Sequence, residues 1–257
     1  SDLSPGAAPV RPPLEGIDTE GIFTLRNVND TDRVKGYIEE HDVKRALIVG
    51  AGFIGLEMAE NLHEYGIQVS IVEMADQVMT PVDYEIATAV HQHFKSKGVG
   101  LHLQEAVTAF RPVEDGIDVV LKSGLVLQVD MVVLSIGVRP DVKLAREAGL
   151  EIGEMGGIKV NEFLQTSHPD IYAVGDAIEF PNPVSGRPAL AFLAGPANKQ
   201  GRICADNVVN GNHQKYKGSI STAIAKVFDL TVGATGLSAK MLDRLQIPYK
   251  EAIVHGA

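Results

Sequence analysis

Residues 46–55 read Ala46-Leu47-Ile48-Val49-Gly50-Ala51-Gly52-Phe53-Ile54-Gly55, an unbroken apolar run that passes directly into glycines spaced G-x-G-x-x-G. A continuous apolar run suits a strand buried on both faces of a parallel sheet, whereas a half-exposed strand alternates. The residues that follow, Leu56, Ala59 and Leu62, fall on one helical stripe that ends before Gly66, and Val69-Ser70-Ile71-Val72 is again strand-like. The stretch is therefore one βαβ unit with its glycines at the strand-to-helix turn.

Each glycine has a separate task in such a turn. Gly50 permits the tight reversal, Gly52 lets backbone approach a pyrophosphate, and Gly55 allows the helix to pack closely on the strand. The free amides at the helix start, around Phe53 and Ile54, then face the phosphates. About twenty residues on, the second strand ends at Glu73, where a carboxylate accepts hydrogen bonds from ribose hydroxyls and repels a 2′-phosphate. Met74-Ala75-Asp76-Gln77 supplies no Arg or Lys to pair such a phosphate, so NADH is expected over NADPH.

Outward from this core the pattern repeats. A short helix is expected after Asn29-Asp30-Thr31-Asp32, with Val34, Tyr37 and Ile38 at helical spacing. A second runs from Asp83 to Lys97 with Ile86, Val90 and Phe94 on one side, followed by a strand through Leu101 and Leu103. Val107 to Leu127 alternates around Asp115-Gly116 and Ser123-Gly124, which indicates antiparallel hairpins, and Met131–Leu134 returns to the parallel sheet. Beyond Pro140 come a helix at Val142–Ala148, strands near Ile158 and Ile171–Val174, and a helix from about Ala197 to Val209.

Composition limits the alternatives. The 257 residues carry 33 acidic and 23 basic side chains, a net charge of −10, and no basic cluster, so no nucleic-acid partner is expected. Cys204 is the single cysteine, which excludes an intrachain disulfide and fits a reducing cytoplasm. Its place in a helix favours a buried structural thiol. The apolar runs fall short of the roughly 20 residues that span a bilayer, so no membrane partner is expected. Ser1–Pro13 does not read as a signal peptide. His91 and His93, at i and i+2, do not share a helix face and are read as solvated, and no metal site is expected. Glu39-Glu40-His41-Asp42 reads as a solvated helix end.

Further segments carry a resemblance. Thr166-Ser167-His168-Pro169-Asp170-Ile171-Tyr172-Ala173-Val174-Gly175-Asp176 is similar to the second FAD motif of flavoproteins that bind two dinucleotides. Leu193-Ala194-Gly195-Pro196-Ala197-Asn198-Lys199-Gln200-Gly201-Arg202 is similar to the segment whose helix start faces the flavin in NADH oxidases and coenzyme A-disulfide reductases. Leu3-Ser4-Pro5-Gly6-Ala7-Ala8-Pro9 resembles the loop returning from the first half of the FAD domain, Ser135-Ile136-Gly137-Val138-Arg139-Pro140 resembles its counterpart leaving the NAD domain, and Ser219–Val232 resembles the start of a dimerisation domain. Together they span most of the chain, which resembles the central part of an FAD-dependent pyridine nucleotide-disulfide oxidoreductase.

The resemblance implies an α/β architecture, with a Rossmann-like NAD(P)-binding domain (residues 26–145) inserted in a partial FAD-binding domain. That partial domain comprises the return segment 1–25 and the second half 146–215, and residues 216–257 begin a C-terminal α+β dimerisation domain. It implies FAD contacts at Pro5, Gly6, Gly175, Asp176, Leu193 and Ala194, with Asp176 on the ribitol chain, and a cofactor contact at Gly137. Glu57 would lie near the nicotinamide carboxamide and the flavin edge. The first FAD glycine motif and the redox cysteine of the family precede the matching region, so no catalytic residue is assigned and this portion alone is expected to be inactive. The complete protein is expected to dimerise and to pass electrons to a disulfide, coenzyme A disulfide, polysulfide or oxygen. The competing class is a nucleotide-binding or interaction module without catalysis.

Overall fold

The computed structural model describes residues 1–254. It divides into two compact units. The inserted unit comprises Pro9–Val138 with Ile224–Val232, and the flanking unit comprises Ser1–Ala8, Arg139–Ala223 and the chain from Gly233.

The inserted unit is built on a five-stranded parallel sheet in the order Ile22–Thr24, Met131–Leu134, Arg45–Val49, Gln68–Glu73, Gly100–Leu103. Its central strand is the apolar run 46–49, with Val49 beside Leu134 on one side and Val72 on the other. Both faces of that strand are covered. Leu47, Val49, Val72, Val132 and Leu134 pack with Phe110, Val119 and Leu121 of an antiparallel meander formed by Val107–Val113, Gly116–Leu121 and Val126–Val129. Helices α1 (Val28–His41), α2 (Phe53–Glu64) and α3 (Tyr84–Ser96) bury Val34, Ile38, Leu56, Ala59, Leu62, Val90 and Phe94.

Several local expectations shift. α1 starts earlier than the Asn29–Asp32 run suggests, because Asn27 caps it: its side chain accepts the Asp30 amide at 3.1 Å while the Asp30 carboxylate accepts the Asn27 amide at 3.1 Å. On α3, Val90 and Phe94 are buried as expected, but Ile86 is exposed and its neighbour Ala87 is buried instead. His91 is not solvated. It is buried, and its Nε2 accepts the Val78 amide at 3.0 Å. His93 is half-buried rather than free in solvent.

The strands Ala223–Val227 and Leu230–Ala234 form a hairpin whose tip belongs to the inserted unit. At its turn Phe228 adopts φ +53°, a left-handed conformation that costs a bulky side chain of order 1 kcal/mol or more. Docking offsets that strain. The ring is buried edge-on against His63, His93 and Phe94, with centroids 5.2, 5.8 and 5.6 Å away, and the Lys97 ammonium sits 5.3 Å from its centre. Lys97 also pairs with Asp229 at 2.7 Å, and Lys226 with the buried Glu60 of α2 at 3.4 Å.

In the flanking unit Asp2–Leu3 runs parallel to Tyr172–Ala173, and Ile158–Lys159, Ile178–Pro181 and Pro188–Ala189 form a small mixed sheet. α4 (Lys143–Glu147) and α5 (Ala194–Asn210) pack around Ile158, Leu164, Ala173, Ile178, Ile203 and Cys204. α5 begins three residues before the expected Ala197. Pro196 is tolerated because first-turn residues have no intrahelical acceptor for an N–H. Burial pushes the Cys204 thiol up, with the Asp2 charge adding to the effect, the reverse of what a reactive thiolate needs.

Phe228→Ala should cost about 3 kcal/mol of stability, the loss typical of truncating a buried aromatic ring. Asp229→Asn, which removes an exposed partner, should cost under about 1 kcal/mol. Urea unfolding midpoints check both; equal effects would remove Phe228 as the anchor of the hairpin.

Candidate functional site

The glycine turn lies at the carboxyl end of the central strand, where the neighbours of that strand leave the chain order: Gln68–Glu73 follows it directly, and Met131–Leu134 arrives much later. Such a switch point opens a crevice beyond the strand ends. Gly50 has φ +101°, and a Cβ there would meet the Ser135 carbonyl oxygen at 2.4 Å, so no other residue fits without displacing backbone. A Cβ on Gly55 would fall 2.1 Å from the Gly50 carbonyl oxygen and 3.3 Å from Ile48 Cγ2, which is the close helix–strand packing expected of that position. A Cβ on Gly52 would meet nothing within 4 Å; it points into open space.

Gly52 is the N-cap of α2, and no side chain caps this helix. The first intrahelical bond runs from the Leu56 amide to the Gly52 carbonyl at 3.0 Å, which leaves the amides of Phe53, Ile54 and Gly55 without helical acceptors. α1, by contrast, has its own capping box. Anions are favoured at such an end by the helix dipole and by the free donors.

Glu73 stands at the end of the adjacent strand, half-buried, and its carboxylate bridges two backbone segments. One oxygen accepts the Ala51 amide of the glycine turn at 2.8 Å and the other accepts the Ala75 amide at 2.8 Å. Each oxygen keeps further lone pairs for outside donors. The loop after Glu73 is held in turn by the Met79 amide on the Ala51 carbonyl at 2.8 Å and by the Val78–His91 bond. Met74 and Asp76 are exposed on that loop. Glu57 lies one turn into α2 with its side chain exposed. Gly137, φ +96°, follows the strand Met131–Leu134, and its carbonyl accepts the Val10 amide at 3.0 Å.

The flanking unit gathers a second set. The Val174 amide bonds the Leu3 carbonyl at 3.0 Å, and the Gly6 carbonyl accepts the Asp141 amide at 2.9 Å, which fixes Pro5 and Gly6 between those anchors. Gly175, φ +79°, opens a short 3-10 turn, and the position of its absent Cβ lies 3.7 Å from Ser4 Oγ and 3.9 Å from Ala197 Cβ. The turn carrying Asp176 thus meets the Leu3–Gly6 segment and the first turn of α5, whose N-cap Leu193 offers no side-chain cap. Burial alone pushes the Asp176 carboxyl up. A half-buried carboxylate in that position is stabilised by hydroxyl donors.

A profile of the family described as pyridine nucleotide-disulphide oxidoreductase matches residues 3–197. The chain belongs to this family. Pyridine nucleotide-disulphide oxidoreductases depend on FAD and NAD(P). The chain is 38% identical over 247 residues to the NADH oxidase of Methanocaldococcus jannaschii, covering 96% of this chain and 54% of that protein. It is 32% identical over 240 residues to a coenzyme A disulfide reductase of Staphylococcus haemolyticus, covering 93% and 53%. The crystal structure of reduced Bacillus anthracis CoADR-RHD superposes with a TM-score of 0.94 at 52% identity, over 97% of this chain and 44% of that one. The chain thus spans about half the length of the curated relatives it matches.

The pyridine nucleotide-disulphide oxidoreductase motifs were legible as residue strings, but two supports were not. Nothing in the sequence pairs Glu73 with Ala51, because that bond depends on strand register. Nothing marks Gln200 either, although its side chain accepts the Gly175 amide at 2.7 Å. Only the structure shows it buried on α5 with Ile203, Cys204 and a second polar residue, Asn207. Among the described residues no group of three or more His, Cys, Asp or Glu side chains could hold a metal ion, and no helix is long and apolar enough to cross a membrane.

His91 gives this site a pH dependence. Burial holds its imidazole below the usual range, the Lys95 charge adds to this, and Asp76 opposes it. A depressed imidazole binds fewer protons in the folded than in the unfolded chain. Its contribution is complete above the unfolded value of about 6.5 and is lost as pH falls below it. Stability should therefore decline between pH 7.5 and 5.5, and His91→Gln, which keeps an acceptor for the Val78 amide, should flatten that decline. Urea midpoints across the range test it; an identical slope in the variant would exclude His91.

Proposed function

We propose that the complete protein moves a hydride from NADH to FAD and passes the electrons to a disulfide, coenzyme A disulfide, polysulfide or oxygen, and that this chain supplies the NADH site and half of the FAD site. The observation that carries the reading is the uncapped, glycine-lined start of α2 with the Glu73 carboxylate bound to the same turn. In this assignment the amides of Gly52, Phe53, Ile54 and Gly55 hold the pyrophosphate, Gly50 makes the turn, and Glu73 takes the adenosine ribose. Its charge, with the exposed Asp76 nearby and no basic residue in Met74–Gln77, favours NADH over NADPH.

Pro5, Gly6, Gly175, Asp176, Leu193 and Ala194 are assigned to one half of an FAD site, supported by the approach of Ser4 and Ala197 to Gly175 and by the burial that pushes the Asp176 carboxyl up. Asp176 would hold ribityl hydroxyls, and the start of α5 would stabilise negative charge on the reduced ring. Glu57 and Gly137 complete the assigned contacts on the nucleotide side. When bound, the nicotinamide supplies a hydride and the flavin receives its electron pair; the residues of this chain orient the two cofactors. In this reading the inserted unit, which takes in Pro9–Val138 and so moves the strand Ile22–Thr24 out of the expected 1–25 segment, is the NAD(H) domain, Ser1–Ala8 and residues 139–215 belong to the FAD domain, and the chain from 216 begins the dimerisation domain of a cytoplasmic homodimer. The relatives named for NADH oxidation and coenzyme A disulfide reduction support this range of acceptors.

Titration of the purified chain should show NADH bound more tightly than NADPH by about tenfold or more, equivalent to about 1.4 kcal/mol. Glu73→Gln, which keeps an acceptor but not the charge, should narrow that ratio, and an unchanged ratio would remove Glu73 from the assignment. Gly52→Ala should weaken NADH with little effect on the unfolding midpoint, since its methyl group enters open space rather than packed atoms. Equal NADH affinity in that variant would sink the nucleotide site. In the complete protein, visible flavin absorbance distinguishes the oxidoreductase from a catalytically silent nucleotide-binding module, which would be colourless.

A further inference from the structure

Gln200 sits two turns into α5 and is only 3% exposed. A buried amide is costly unless its polar ends find partners. Oε1 accepts the Gly175 amide at 2.7 Å. Tyr216, equally buried, lines the same small cavity as Gln200 and Gly175, with its hydroxyl beside the other end of the amide. The Phe180 ring packs edge-on against the Tyr216 ring, its centroid 4.9 Å away.

The Gly175 bond matters because of what that residue does. It holds a left-handed φ of +79°, no side chain caps the turn it opens, and the next residue is Asp176. α5 also carries Leu193 and Ala194 at its uncapped start. One side chain therefore ties the Asp176 turn and the helix start into a single frame. We infer that Gln200 is a positioning residue for the flavin side of this unit, holding the Asp176 carboxylate and the first amides of α5 at a fixed spacing through its bond to Gly175, with Tyr216 packed beside the amide. The inference rests on the proposed FAD half-site.

The test uses the complete protein containing this chain, with FAD affinity measured by flavin fluorescence, NADH affinity by titration, and amide exchange followed at Gly175. Gln200→Leu removes the Gly175 bond at similar volume, and should weaken FAD by about tenfold, the ratio that one lost buried hydrogen bond produces. It should also speed exchange at Gly175 and leave NADH affinity unchanged. Gln200→Glu keeps an acceptor for Gly175 and lets the Tyr216 hydroxyl donate, so it should restore most of the FAD affinity. Should Gln200→Leu not fold, Tyr216→Phe leaves the Gly175 bond but frees the far end of the amide, and should give a smaller loss in the same direction. Unchanged FAD affinity in the folded variants, with only a lower unfolding midpoint, would overturn the positioning role and leave Gln200 as a packing residue. A complete wild-type protein that binds no FAD would instead sink the half-site reading, a result separable from the first because it appears before any substitution is made.

Discussion

The separation between one carbonyl oxygen and one missing methyl group governs the nucleotide side of this molecule. A Cβ at Gly55 would stand 2.1 Å from the Gly50 oxygen, so α2 lies against its strand only because that position has none. The contact sets the direction in which the helix leaves the sheet and hence where its free amides point. With the helix seated so closely, the Ala51 amide comes within 2.8 Å of the Glu73 carboxylate, and the acid at the tip of the next strand becomes part of the turn. The anion-favouring helix end and the hydroxyl-accepting acid are thus one rigid assembly.

The chain treats its helix starts in two ways. α1 satisfies its own amides through the Asn27 and Asp30 box. α2 and α5 have no side-chain cap, and both begin beside loops that carry a carboxylate, Glu73 in one unit and Asp176 in the other. The two acids differ in their circumstances. Glu73 is held by two backbone amides, whereas burial alone acts on Asp176. The first is a finished support with capacity to spare, and the second is a polar group whose stabilisation has to come from outside donors.

Much of this was readable in the residues because it is local. The glycine spacing, the buried strand before it and the acid about twenty residues later are contiguous signals, and the structure assembles the strands Arg45–Val49 and Gln68–Glu73 around them in parallel register. Where the reading departed from the structure, the deciding interaction was distant in sequence. His91 is buried because the loop after Glu73 folds back to give it the Val78 amide, which helical spacing on α3 does not reveal. Ile86 alone leaves the expected α3 stripe, with Ala87 buried in its place while Val90 and Phe94 hold. Gln200 and Gly175 are 25 residues apart, and their bond depends on the packing of α5. The left-handed Phe228 looks like a poor turn residue until the aromatic pocket that receives it exists.

That pocket bears on the order in which the molecule is made. The parallel sheet of the inserted unit is complete once Leu134 has been added, yet the ring that covers His63, His93 and Phe94 arrives about ninety residues later in the chain. The two hairpin strands that carry Phe228 must therefore fold back across that chain distance before the faces of α2 and α3 around His63, His93 and Phe94 are covered.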